Sequence, residues 1–93
     1  MEVKHDQQGT KGRFFIVDNG TLAGEMTYSR AGDDKFIIDH TEVEDSYRGK
    51  SVGLELVKKA VEYGRTNKMK IMPLCPFAKK MFDTHTEFQD VLW

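Results

Sequence analysis

The sequence has no long apolar run, no excess of basic charge and only one cysteine. No apolar stretch approaches the length of a bilayer span, and residues 1–11 contain no apolar signal-peptide core. The 14 basic residues are balanced by 15 acidic ones, which excludes the broad basic face of sequence-independent nucleic-acid binding. The single cysteine, Cys75, excludes an intramolecular disulfide and a cysteine-rich zinc site. We expect a soluble cytoplasmic protein without membrane or nucleic-acid partners.

The remaining composition suits one small folded unit. The chain has 93 residues, of which 39% are hydrophobic and 31% charged, so it supports a modest core. We therefore interpret residues 1–93 as a single domain. The polar residues up to Gly12 are interpreted as a lead-in to the first strand.

The first half of the chain predicts three antiparallel strands. Residues 13–17 are aromatic and β-branched with apolar side chains on both faces, which predicts a strand covered on both sides. Asp18-Asn19-Gly20 is a hairpin signal, and the alternation after it places three apolar side chains on one face: Leu22, Met26 and Tyr28. A second turn at residues 31–34 precedes a strand over residues 35–43. Alternation there places four side chains on a shared face: Phe36, Ile38, His40 and Glu42.

The second half predicts a helical crossover. Apolar residues at helical spacing from Gly53 to about Gly64 predict one long helix, followed by a short strand over residues 69–72 that Pro73 ends. Pro76 suits the first position of a second helix that runs to about Asp83, and the tail after it is expected to pack onto the core. The sequence therefore predicts a mixed α/β (α+β) fold, with antiparallel strands, a strand-helix-strand crossover and a short C-terminal helix.

The segment Tyr47-Arg48-Gly49-Lys50-Ser51-Val52-Gly53 joins the third predicted strand to the long helix. Its small and basic residues suit an anion site, because the first helical turn leaves amide N–H groups unpaired at the positive end of the helix dipole. Arg48 and Lys50 would add positive charge. The same composition also fits a tight connection that binds nothing.

This segment resembles the pyrophosphate signature of the GNAT superfamily of acetyltransferases. That signature is Arg or Gln, two variable residues, Gly, one variable residue, then Gly or Ala; Arg48 and Gly53 match its ends. Ser51 replaces the central glycine, which matters if the position needs positive φ, although its hydroxyl could cap the helix or bind phosphate. Residues 36–43 and 73–78 add to the likeness, and together the three motifs resemble very short GNAT-like proteins over about residues 13–83.

The resemblance implies where acetyl-CoA would bind. The pyrophosphate would contact the residues of the turn, which are Arg48, Gly49, Lys50, Ser51, Val52 and Gly53. The pantetheine arm would lie along the preceding strand, at Thr41, Glu42 and Val43. Phe77 would line the acyl pocket or fill core, and Lys79, with Lys80, would reach the nucleotide phosphates or remain solvated.

Candidate catalytic groups are Cys75 and Glu42. Cys75 precedes Pro76 at a predicted helix start, where it could accept the acetyl group or protonate the departing thiolate; it could equally be a small buried residue. His40 and Glu42 share a strand face, and either could remove a proton from an amine, with Glu42 retained as the candidate. Two ligands without a third do not predict a metal site.

Three functions follow from these residues. The resemblance implies an acetyl-CoA-dependent N-acetyltransferase acting on an unidentified amine. These residues are not expected to form the helices of the acceptor wall in a typical GNAT enzyme, so the acceptor would be an amine on a larger molecule or a second subunit would complete the site. The alternative is a non-catalytic acyl-CoA binding or sensing module. A third possibility is a small interaction domain that does not bind coenzyme A.

Overall fold

A five-stranded sheet runs in the order β1-β2-β3-β4-β5 in the computed structural model, which describes residues 1–93. The strands are β1 (Lys4–Gln8), β2 (Lys11–Asp18), β3 (Thr21–Arg30), β4 (Lys35–Val43) and β5 (Lys70–Pro73). The first four strands are antiparallel, and β5 pairs with β4 in parallel. The helices are α1 (Val52–Thr66) and α2 (Pro76–Thr84), with short 3-10 helices at Asp45–Tyr47 and Thr86–Val91. No helix is long and apolar enough to span a membrane.

The mixed α/β class, the crossover and the C-terminal helix are confirmed. The interpretation of the residues before Gly12 as a polar lead-in to the first strand is wrong. Residues 4–8 form β1, a fourth antiparallel strand paired with β2. Its side chains are exposed except for His5, so it lacks the apolar alternation that marks a strand in sequence. His5 stacks on Phe14, packs edge-on against Tyr63 and hydrogen-bonds the Tyr28 hydroxyl, and Asp6 pairs with Arg13, so backbone pairing and these side-chain contacts hold the strand.

Two β-bulges change part of the faces predicted for β3 and β4. Met26 and Tyr28 of β3 are buried together, as predicted, but Leu22 is not. The register with β2 shifts after Ile16, so Ala23 turns inward and Leu22 is 45% exposed instead of facing the core. The register between β3 and β4 shifts at Asp39, so Phe36 and Ile38 face the core while His40 and Glu42 do not. The prediction that these four residues of β4 share one face is therefore wrong.

The core lies between the sheet and α1. Phe14 and Ile16 of β2 are fully buried, whereas Val17 is 44% exposed, so β2 is covered on one side only and not on both. Leu56 and Ala60 of α1 are also fully buried and pack in the same cluster. The helix starts one residue earlier than predicted and continues to Thr66, about half a turn past Gly64. Because this apolar face packs against the sheet, the start of α1 is held beside the end of β4.

The C-terminal tail packs onto the core, as the sequence predicted. Phe88 and Val91 are buried, and Leu92 forms an isolated bridge with Ile71 of β5. Arg65 near the end of α1 bonds both carboxylate oxygens of Asp90, at 2.8 and 2.7 Å. The Arg65 guanidinium lowers the pKa of the Asp90 carboxyl. The tail therefore covers the edge of β5 that does not pair with β4.

Candidate functional site

The turn between β4 and α1 has a backbone that favours glycine at two positions. Gly49 has φ of 81° and Ser51, the residue before α1, has φ of 63°. A left-handed conformation is costly for a serine, so the position does require the positive φ that a glycine would supply freely. The Ser51 side chain makes no capping hydrogen bond to the helix. The chain therefore turns sharply into α1 without covering the helix start.

The start of α1 presents unpaired amide groups. The N–H groups of Ser51, Val52, Gly53 and Leu54 donate to no acceptor in the protein, and the first amide to do so is that of Glu55, at 3.0 Å from the Ser51 carbonyl oxygen. The positive end of the α1 dipole coincides with these groups. They form a local anion site that needs no excess of basic residues.

A pocket of about 580 Å³ opens at this helix start. It is lined by residues of β4, the turn, α1 and α2: Thr41, Val43, Tyr47, Arg48, Gly49, Ser51, Val52, Gly53, Leu54, Phe77 and Met81. Eight of these residues belong to the predicted coenzyme site, and the structure brings them together. The site prediction omitted Tyr47, Leu54 and Met81, although Met81 lies one helical turn after Phe77 and this spacing could have indicated it.

The two parallel strands separate beside this pocket. Pairing of β4 with β5 ends at Ile38 and Pro73, and the amides of Leu74 and Cys75 both donate to the Ile38 carbonyl oxygen. Beyond this point β4 pairs only with β3, and Pro73 has no N–H to extend the ladder. Residues 41–43 therefore have no strand partner on the side of β4 that faces β5.

Cys75 lies where the strands separate, at the N-cap of α2. Its sulfur accepts a hydrogen bond from the Ala78 amide at 3.4 Å and lies 3.2 Å from the Thr41 hydroxyl oxygen. The thiol is at a helix start, as predicted, yet the residue is only 6% exposed. Thr41 lines the pocket and Cys75 does not, so the thiol is one residue removed from the pocket surface.

Four predicted site residues lie outside the pocket lining. Glu42 is on the opposite side of β4 from Thr41, with its carboxylate 3.4 Å from the His40 ring nitrogen and its side chain 79% exposed. The Lys79 ammonium pairs with Asp83 at 3.3 Å. The other two residues are Cys75, described above, and Lys50, described below.

A second groove, of about 290 Å³, borders the pocket on the Glu42 side. It is lined by four carboxylates together with apolar and turn residues: Leu22, Gly24, Glu25, Glu42, Val43, Glu44, Asp45 and Arg48. Val43 and Arg48 line both the pocket and this groove, so the two openings are adjacent. Arg48 also pairs with Asp45 at 3.0 Å.

Tyr47 connects the turn to the β2–β3 hairpin. Its hydroxyl donates a hydrogen bond of 2.7 Å to the Asp18 carboxylate, which raises the pKa of Tyr47 above its usual value. The Lys50 ammonium lies 5.4 Å from the centre of the Tyr47 ring, within cation–π range. The Lys50 charge is thereby kept close to the turn.

Comparison with known proteins agrees with this geometry. Residues 13–91 match the profile of a family described as GCN5-related N-acetyl-transferase. A GCN5-like protein from Staphylococcus aureus, whose proposed activity is N-acetyl transfer, is 38% identical, with a TM-score of 0.76 over 99% of this chain and 87% of that one. No curated protein sequence shows significant similarity.

More distant structures share the fold alone. The ribosomal-protein-S18-alanine N-acetyltransferase of Escherichia coli is 13% identical, with a TM-score of 0.70 over 84% of this chain and 53% of that one. An aminoglycoside N-acetyltransferase solved with CoA is 16% identical, with a TM-score of 0.59 over 87% of this chain and 68% of that one. The chain therefore spans about half the length of the Escherichia coli enzyme.

Proposed function

Because this chain belongs to the GCN5-related N-acetyltransferase family, whose members use acetyl-CoA, we propose that it transfers an acetyl group from acetyl-CoA to an amine at the pocket beside α1. The observation that carries the proposal is a convergence in one pocket. Unpaired amides at the start of α1 and an unpartnered edge of β4 meet there. A diphosphate suits the first feature, and an amide-containing chain such as pantetheine suits the second.

In this proposal the amides of residues 51–54 bind the pyrophosphate. Arg48 and Lys50 supply positive charge beside it, and Gly49 lets the phosphate approach the backbone closely. The pantetheine arm pairs with β4 along Thr41, Glu42 and Val43 in place of the missing strand neighbour. Lys79 contributes charge toward the nucleotide phosphates once it exchanges its ion pair with Asp83.

Two routes for the acetyl group fit these residues. In the first, Glu42 takes a proton from the ammonium form of the amine, and the neutral amine attacks the thioester carbonyl. The C–S bond breaks, Cys75 protonates the departing CoA thiolate, and the proton that the new amide nitrogen loses returns to Cys75. In the second, the Cys75 thiolate attacks the thioester carbonyl, the C–S bond to CoA breaks, and CoA leaves with the proton that Cys75 gave up. The neutral amine then attacks the acetyl-enzyme, the bond to the Cys75 sulfur breaks, and the proton lost by the amide nitrogen returns to Cys75. In both routes the Cys75 sulfur is held in place by the Ala78 amide, which donates to it at 3.4 Å, and lies 3.2 Å from the Thr41 hydroxyl oxygen of the pocket lining.

A non-catalytic acyl-CoA binding or sensing module is the second candidate. It is favoured by the pocket lining, whose only ionisable side chains are Tyr47 and Arg48. Cys75 is buried, and Glu42 lies on the other side of β4. A module of this kind would bind acetyl-CoA by the same amides but would release no CoA in the presence of amines.

The acceptor is proposed to be an amine carried by a larger molecule. The groove beside Glu42 adjoins the pocket at Val43 and Arg48 and is lined by four carboxylates, which suits a positively charged segment around the amine. We also propose that residues 1–93 act as a single domain in the cytoplasm. Cys75 is a free thiol whose contacts are with the Thr41 hydroxyl and the Ala78 amide, and a fold that needs no disulfide is compatible with this reducing compartment.

Calorimetric titration with acetyl-CoA and with free CoA tests the binding site. We expect 1:1 binding that weakens by about tenfold or more in an Arg48→Ala, Lys50→Ala variant, since each removes a charge next to the phosphates. The matched control is Lys58→Ala, Lys59→Ala, which removes two charges from the middle of α1. Equal weakening by both variants would indicate a general charge effect and contradict the proposed site.

Turnover separates the two candidate functions. The wild-type protein is incubated with acetyl-CoA and a panel of amines, including basic peptides, and released CoA is measured as free thiol. Release that depends on the amine supports the transferase. Tight binding of acetyl-CoA with no release across the panel favours the binding module.

A further inference from the structure

The turn over residues 45–51 has one hydrogen bond to a residue distant in the chain. That bond is the 2.7 Å contact from the Tyr47 hydroxyl to the Asp18 carboxylate, which joins residues 29 positions apart. The remaining hydrogen bonds of the segment are local and run between residues at most four apart: Tyr47 to Glu44, Arg48 to Asp45, Lys50 to Tyr47, and Glu55 to Ser51. The ends of the turn are held by the Glu44 amide, which donates to the Ala23 carbonyl oxygen at 2.9 Å, and by Val52, which is buried. Between these ends, Tyr47 makes the one hydrogen bond that joins the turn to the sheet.

The Asp18 end of this contact is fixed by the sheet. Asp18 is the last residue of β2 and pairs with Thr21 of β3. Asn19 and Gly20 between them have φ of 51° and 78°, the positive values of a tight two-residue hairpin turn. The carboxylate is thus presented from a rigid hairpin, while the segment that it holds has no strand pairing of its own.

The Tyr47 end is part of the coenzyme pocket. The Tyr47 ring lines the pocket, its carbonyl oxygen accepts the Lys50 amide at 3.2 Å, and the Lys50 ammonium lies over the ring. A shift of Tyr47 would move the Lys50 charge and the chain that leads to the unpaired amides of α1. One side-chain contact therefore couples the hairpin to the anion site.

We propose that Asp18 is a positioning residue for coenzyme binding, an inference that rests on the function proposed above. Its carboxylate holds Tyr47, and Tyr47 holds the turn in the geometry that receives the pyrophosphate. The effect of Asp18 on affinity is opposite to that expected from its charge. A negative group near a site for a polyanion should weaken binding, whereas a positioning group strengthens it by reducing the ordering that binding requires.

Calorimetric titration with acetyl-CoA at two salt concentrations tests the inference. The proteins are the wild type, Asp18→Ala, Asp18→Asn, Tyr47→Phe and the double variant Asp18→Ala, Tyr47→Phe. We expect Asp18→Ala and Tyr47→Phe each to raise Kd by about three- to tenfold, because each removes a hydrogen bond that involves a charged acceptor. The double variant should be no weaker than either single variant, since both changes break one contact.

Two controls separate positioning from charge and from stability. Asp33→Ala removes an equal charge from the turn before β4, where the carboxylate makes no hydrogen bond, and should leave Kd unchanged. Asp18→Asn removes the charge but retains an acceptor for the Tyr47 hydroxyl, so it should keep most of the affinity. The melting temperature of each variant is measured by circular dichroism, and titrations are made well below it.

If the wild type binds and Asp18→Ala binds equally well or more tightly, Asp18 acts through charge or not at all, and the positioning role is overturned while the proposed function stands. Additive losses in the double variant would also overturn it. Absence of binding by the wild type would overturn the proposed function and this inference together. Losses that persist at high salt support positioning, because salt screens a charge effect.

Discussion

Replacing Ser51 with glycine should stabilise the protein. Ser51 has φ of 63°, and a non-glycine residue in this conformation is strained by about 1–2 kcal/mol. Glycine removes the strain but loses about 0.5–1 kcal/mol through the greater freedom of the unfolded chain. No hydrogen bond of the Ser51 side chain to the helix is lost. The free energy of unfolding should therefore rise by about 0.5–1 kcal/mol, which corresponds to about 2–8 °C in Tm for a domain of this size.

Urea denaturation and thermal melting of Ser51→Gly measure this effect. The matched control is Ser46→Gly, five positions earlier, where the serine is exposed in a 3-10 helix and φ is not positive. That change should lower the free energy of unfolding by about 0.5–1 kcal/mol, because only the entropic cost remains. Equal destabilisation by the two variants would refute the argument that strain at Ser51 is what glycine relieves.

Three further predictions concern the packing and chemistry around the site. Gly24→Ala should lower the free energy of unfolding by about 1–3 kcal/mol, because a Cβ at this position would lie 2.6 Å from a Val52 methyl carbon; an unchanged urea midpoint would contradict this close packing. Burial lowers the pKa of His5 below 6.5, so its contribution to stability is present above that pH and is lost as the pH falls toward the folded-state pKa. His5→Gln should flatten this dependence below pH 6.5, and an identical pH profile in the variant would disprove the role of the histidine. Cys75→Ala should abolish any acetyl-enzyme seen by intact-protein mass spectrometry after incubation with acetyl-CoA, and an adduct that persists in the variant would place the acetyl group on another residue.

Local signals in the sequence were sufficient to predict the second half of the fold. Apolar spacing over residues 53–64 and proline at position 76 each act within one helix, so α1 and α2 could be located from their own residues. Asn19-Gly20 likewise specified the first hairpin, because both residues tolerate positive φ. These elements do not depend on contacts with remote parts of the chain.

Features that depend on pairing between strands could not be predicted. Strand β1 is polar and is held by backbone bonds to β2, so its own residues carry no apolar alternation. The bulges at Ala23 and Asp39 leave no local signal, yet each one reverses the side chains that follow. The second bulge explains why Glu42 lies away from the core although it alternates with Ile38.

The candidate site was predicted where the motif is contiguous and missed where it depends on the fold. The turn over residues 48–53 and the β4 positions Thr41 and Val43 do meet in one pocket. The contact between Asp18 and Tyr47 joins separate elements, and no residue type in either segment indicates it.

The central claim is that the unpaired amides at the start of α1 bind the pyrophosphate of acetyl-CoA. The most direct test is a titration of isotope-labelled protein with acetyl-CoA, followed in the proton–nitrogen correlation spectrum, in which each backbone amide reports separately. We expect the largest shifts at Gly49 and residues 51–54, with further shifts along residues 41–43. Unmoved amides at residues 51–54 while other regions shift, or no shifts at about millimolar ligand, would contradict it.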